Sequence, residues 1–197
     1  MEKQLSYRIA EKLVKYGAVT QENCETYAYG ISLMLNACLH IATTVVIGAA
    51  FHMLSECLLF YLGFAVLRRF AGGYHAGSPA KCYLLSCLVV AAVLLVVKYI
   101  EAKWTVPVDF VLVFLCGISV LQLAPVEDAN KPLDSEEIRH YKRTSRLLWL
   151  AETAAAAGLA AAGLQRPAFA LCLAQAVLAG MLLFGSVKNR RRSVQAV

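Results

Sequence analysis

Six long apolar stretches, at residues 30–51, 53–67, 83–100, 106–124, 147–164 and 167–187, constrain this chain more than any other feature of it. A spanning helix needs roughly 20 mainly apolar residues, and six such stretches in 197 residues leave too little polar sequence to clothe them in water. Only 16% of the chain is charged and 59% is apolar, whereas soluble proteins carry about 25% charged residues. The expected fold is therefore all-α, a polytopic membrane protein with about six transmembrane helices. The second stretch is short, so it must stand nearly upright or thin the bilayer around it. Residues 1–29 are polar and interrupted, without the apolar core of a cleavable signal peptide, so the first span is expected to do the targeting.

Charge placement sets the expected orientation. A net charge of +6 invites a nucleic-acid reading, yet the basic residues sort by side of the membrane instead. With the N-terminus inside, 16 of the 19 Lys and Arg fall on cytoplasmic segments, and only Lys98, Lys103 and Arg166 fall outside. Both termini are thus expected in the cytoplasm, with no nucleic-acid partner. The chain reads as a single membrane-embedded domain over 1–197, with a leader at 1–29, a six-span core at 30–187 and a basic tail at 188–197 that anchors at the inner face. In the leader, Leu5, Ile9, Lys12, Leu13 and Tyr16 recur at helical spacing among Lys and Arg, which predicts an amphipathic interfacial helix on anionic lipid. The longest polar stretch, 125–146, holds Pro125 and Pro132, which interrupt any helix, and its second half reads as an exposed helix leading into the fifth span.

Seven cysteines form no CxxC pair and no ladder with the four histidines, so neither a metal nor a disulfide framework is expected, and no cofactor. Cys38, Cys57, Cys87, Cys116 and Cys172 read as packing thiols. Cys82 differs because of the loop it closes. Arg68 to Cys82, RRFAGGYHAGSPAKC, gathers two arginines, three glycines, a histidine and a cysteine in fifteen residues. Gly72-Gly73 and Gly77 imply a shaped turn, and Ser78-Pro79 reads as an N-cap followed by the first helical position. Cys82 then lies in the first turn of the third span, near the positive end of the helix dipole and beside Lys81, both of which favour its thiolate. An unbroken helix would hold His75 and Cys82 roughly 10 Å apart, but the turn before Pro79 lets His75 fold back towards the thiol. One reading makes Cys82 the nucleophile and His75 its base, with first-turn amides and Arg68 or Arg69 supporting an oxyanion; the other makes the two arginines a positive-inside anchor and His75 a turn cap. Asn36, Gln122, Glu127, Asp128 and Asn130 are each able to orient the imidazole, and the sequence does not choose among them. Glu56, Asp109 and Glu152 lie in or near the spans, without an assigned role.

RRFAGGYHAGSPAKC resembles the active-site segment of the accessory gene regulator B (AgrB) family, quorum-sensing endopeptidases of the bacterial membrane. APVEDANKPL, at Ala124 to Leu133, resembles the family's proline and lysine signature after the fourth span. The resemblance implies a multi-pass protein of the bacterial cell membrane whose active site faces the cytoplasm. It also implies that Cys82, with His75 as base, cleaves a small AgrD-like precursor near its C-terminal part through an acyl thioester. An internal nucleophile of the peptide then closes a thiolactone ring. Arg68 and Gly73 fall at positions that the family motif marks. The basic loop 131–146 is suited to attract the precursor's acidic tail, and the small residues Ala154 to Ala162 offer a homodimer face. The competing readings are a small peptide transporter without proteolytic activity, a metal-dependent lipid or isoprenoid transferase, and an assembly factor. A transporter predicts paired polar residues and broken helices at the midplane, and a metal-dependent transferase predicts clustered aspartates on facing helices.

Overall fold

The computed structural model describes residues 2–74, 78–127 and 133–195. Among them the regular elements are seven α-helices: α1 (Glu2–Lys15), α2 (Cys24–Ala50), α3 (Leu54–Ala71), α4 (Pro79–Tyr99), α5 (Ala102–Leu123), α6 (Ser135–Ala161) and α7 (Gln165–Gln195). A 3-10 turn, Gln21–Asn23, precedes α2. Each of the six apolar stretches falls on one helix, α2 to α7. Four of these, α2, α4, α5 and α7, are long and apolar enough to cross a membrane. By the same measure α3 falls short because its 18 residues include Glu56, Arg68 and Arg69. In α6 a charged first half, SEEIRHYKRTSR, shares one continuous helix with the apolar second half.

The chain forms two compact units, residues 1–46 and 47–197. In the first, Gly17 at φ +70 stops α1, and the amides of Gly17 and Ala18 close back on the carbonyls of Val14 and Leu13. This paired closure satisfies carbonyls that the last helical turn leaves open. Ala10 of α1 is buried with Cys24 and Ala28 of α2, flanked by Val14 and Ile31. Leu5 and Tyr16, members of the expected interfacial stripe, remain exposed.

The second unit is built around α7. Its apolar window is 61% buried against 22% for α4 and for α5, so α7 is the helix the others pack upon. Two apolar clusters lie along it. One joins Cys57 and Phe60 of α3, Val90, Val93, Leu94 and Val97 of α4, and Phe169, Ala170 and Ala174 of α7. The other joins Leu67 and Ala71, Cys116, Val120 and Ala124, and Leu178, Ala179 and Leu182, with Val126 closing its end. Glycines permit the closest crossings: a Cβ at Gly117 would stand 2.5 Å from the Trp149 ring, and one at Gly63 2.5 Å from Leu171. At the start of α6 the Asp134 carboxylate accepts the amides of Glu136 and Glu137, and Glu137 reaches back to the Asp134 amide. That reciprocal cap explains why the polar half is helical at all.

Candidate functional site

The helix α3 ends where the sequence demands a turn. Gly72 and Gly73 take φ of +74 and +121, the left-handed side that residues with a Cβ rarely enter. The chain then pairs with the segment after α5: Val126 N–H donates to the Ala71 carbonyl at 2.9 Å and Gly73 N–H to the Val126 carbonyl at 3.3 Å, a single parallel bridge. The loop 68–82 and the segment 124–133, singled out separately in the sequence, are thereby joined main chain to main chain. A Cβ at Gly72 would stand 2.1 Å from the Val126 oxygen, so only glycine fits there.

One residue further on, Tyr74 N–H donates to the Met181 carbonyl of α7 at 2.9 Å. Gly185, one turn beyond Met181, makes room: a Cβ there would lie 2.9 Å from the Tyr74 nitrogen and 3.0 Å from Val126 Cγ1. Arg68, half-buried in the last turn of α3, donates from Nη2 to the Tyr74 carbonyl at 2.7 Å, directs Nη1 at the Met181 sulfur, and stacks over the Phe64 ring with Cζ 5.4 Å from its centroid. These contacts hold the half-buried guanidinium over the turn. A guanidinium keeps its proton under these conditions. The planar fork of Arg suits this arrangement because it serves two partners at once.

Cys82 arrives from the other side of the turn. Ser78 is the N-cap of α4, its hydroxyl accepting from Lys81 N–H at 3.3 Å, with Pro79 at the first helical position, as the sequence predicts. Cys82 N–H donates to the Ser78 carbonyl at 3.0 Å, the first intrahelical bond of α4. The thiol is free and half-buried, and the Cys82 carbonyl accepts from Ser86 Oγ. Ser78→Ala is expected to cost about 1 kcal/mol of stability, read as a lower unfolding temperature in detergent, and Ser78→Asp is expected to retain most of the cap.

Of the expected site residues, Arg68 and Gly73 lie at the turn that ends α3 and Cys82 lies half-buried in the first turn of α4, while Arg69 and Lys81 are exposed. His75 lies outside the described residues, as do Asp128, Asn130 and Lys131. Gln122 and Glu127 are exposed, and the Glu127 carbonyl accepts from Asn189 Nδ2 at 2.7 Å. The α7 residues Met181, Gly185, Lys188 and Asn189 were not apparent in the sequence. The one available signal was Gly185, a glycine in an apolar helix. Beside the site, Phe70 meets the Tyr141 ring edge-on at 5.7 Å, tying α3 to the charged half of α6. Among the described residues no three of His, Cys, Asp and Glu converge to hold a metal ion.

The model of one protein family, described as "Accessory gene regulator B", matches residues 6–184. AgrB-like protein 2 of Clostridium perfringens (strain 13 / Type A) is 27% identical over 145 residues, covering 70% of this chain and 66% of that protein. An AgrB-like protein of Lactiplantibacillus plantarum (strain ATCC BAA-793 / NCIMB 8826 / WCFS1) is 24% identical over 147 residues, 70% of each chain. The alignment with the first of these thus spans slightly less than two thirds of the relative's own length. No solved structure matches the chain.

Proposed function

We propose a function from one premise: the chain belongs to the accessory gene regulator B family. In this reading it is a membrane cysteine endopeptidase that processes an AgrD-like precursor into a cyclic quorum-sensing signal. The observation that supports it best is the bridge between Gly72 and Val126, which unites the two family-like segments, with Arg68 closing on the same turn through the Tyr74 carbonyl.

The chemistry follows from the residues. Cys82 presents a half-buried thiol, a strong nucleophile type, in the first turn of α4. Cys82 Sγ attacks the scissile carbonyl of the precursor, and the thiol proton passes to His75. The tetrahedral intermediate collapses as the C–N bond breaks, and His75 returns the proton to the departing amine of the C-terminal fragment. The remaining peptide is held as an acyl thioester on Cys82. A thiol within that peptide attacks the same carbonyl, the bond to Cys82 breaks, and the product leaves as a thiolactone with the enzyme thiol restored. No net oxidation occurs, and no cofactor is required by the balance.

The membrane arrangement belongs to the same proposal. All six helices α2 to α7 cross the bacterial cell membrane, α3 and α6 with their charged ends in the headgroup region, while α1 lies on the inner leaflet and the Cys82 loop faces the cytoplasm. An amphipathic precursor gathered on that leaflet meets the loop there.

The test is direct trapping. Membranes carrying the wild-type protein are given a synthetic full-length precursor, quenched in acid, and digested for mass spectrometry. An adduct on Cys82 with the mass of the N-terminal fragment, removed by neutral hydroxylamine, is the expected result. Cleavage with the adduct on another residue, or with none that hydroxylamine removes, would sink the covalent Cys82 route.

A further inference from the structure

We infer that Lys188 and Asn189, at the C-terminal end of α7, are positioning residues that fix the loop leading into residue 75. This inference rests on the peptidase reading. Met181, Gly185, Lys188 and Asn189 follow one another at spacings of four, three and one, so they form a single stripe along α7. Every member of that stripe engages one of the two segments that build the site. The Met181 carbonyl accepts from Tyr74 N–H, and Gly185 gives the Gly73-Tyr74 main chain room to approach. The Lys188 ammonium stands over the Tyr74 ring at 4.7 Å from its centroid, and Asn189 Nδ2 donates to the Glu127 carbonyl at 2.7 Å.

The placement calls for more than an anchor. A basic tail that only binds headgroups needs charge and nothing else, yet here a lysine and a neutral asparagine each meet a specific partner. The family model matches residues 6–184, and Gly185, Lys188 and Asn189 follow directly in the same helix. The need for them is physical. A base and a nucleophile work only when held within about 0.5 Å of productive geometry, and a turn containing Gly72 and Gly73 has no stiffness of its own. Rigidity must come from outside the loop, and α7, the most buried helix of its unit, is the rigid body available. Lys188 then grips the residue immediately before His75, and Asn189 steadies the partner segment one residue after Val126. Neither need touch the substrate, so their contribution falls on the acylation step and not on peptide binding.

The experiment measures acylation of Cys82 by a synthetic precursor in native membranes, with kcat and KM taken separately. Lys188→Gln and Tyr74→Leu are each expected to lower kcat by about 3- to 30-fold, the range a cation over an aromatic face is worth, while KM stays within about twofold. The double variant is expected to be no slower than the worse single, because both remove one contact. Lys188→Arg is expected to recover most of the rate, since a guanidinium also stacks on tyrosine. An unchanged kcat in Lys188→Gln, strictly additive losses, or a change confined to KM overturns the inference while leaving the peptidase reading intact. Wild-type protein that never acylates Cys82 overturns that reading, and this inference with it.

Discussion

On the proposed thioester route, Cys82→Ala is expected to reduce precursor cleavage by at least about a thousandfold, because removing a covalent nucleophile removes the route itself and leaves only binding and electrostatic assistance. His75→Ala is expected to fall nearly as far, and the double variant to be no worse than Cys82→Ala, since the two act as one unit. The half-buried position of the thiol makes the comparison clean. Cys82 N–H and C=O are already used in α4 and by Ser86, and neither bond involves the sulfur. Alanine keeps both, so the variant is expected to reach the membrane at wild-type level. The check is mass-resolved cleavage in cells co-expressing a tagged precursor, normalised to membrane protein. Residual cleavage above about one part in a hundred by Cys82→Ala would assign the nucleophile elsewhere.

Gly72→Ala is the second large effect, and it arises from the backbone. At φ +74 a residue with a Cβ is strained by about 1–3 kcal/mol, and the added carbon would also lie 2.1 Å from the Val126 oxygen. The neighbour is main chain, so it cannot rotate aside. The Gly72–Val126 bridge must open, which frees Tyr74 from Arg68 and α7. Processing is expected to drop by about two orders of magnitude, the loss that a misplacement near 1 Å can bring. The stability loss, read in detergent, is expected to stay within about 3 kcal/mol. Gly158→Ala is the control, since nothing lies within 4 Å of a Cβ there and the substitution suits a helix. Equal damage from both variants would mean that helix substitutions in general, and not the bridge, limit activity.

The sequence made the helices legible because apolar runs and breakers are local signals. Ser78-Pro79 announced the start of α4, and the paired glycines announced the turn after Ala71, since each depends on one residue's own backbone preferences. The length of α7 beyond its apolar part was less legible for the same reason. Its expected span closed at 187, where apolar character stops, yet the helix runs on to Gln195 because Lys, Arg and Gln are good helix formers and no glycine or proline intervenes after Gly185. The bridge between Gly72 and Val126 was not legible, because a pairing of two main chains 54 positions apart leaves no periodicity in either segment. The role of Arg68 was half legible. Its charge marked it as support for the site, but its bonds to the Tyr74 carbonyl and Met181 exist only once α3 and α7 pack. The charged half of α6 was read correctly as a helix, and the Asp134–Glu137 cap gives the reason.

The bridge itself has a further consequence for how such a chain can diversify. It is fastened by main-chain carbonyls and amides, with glycine required at Gly72 and Gly185. The side chains that carry none of these contacts can therefore be exchanged while the turn holds its shape.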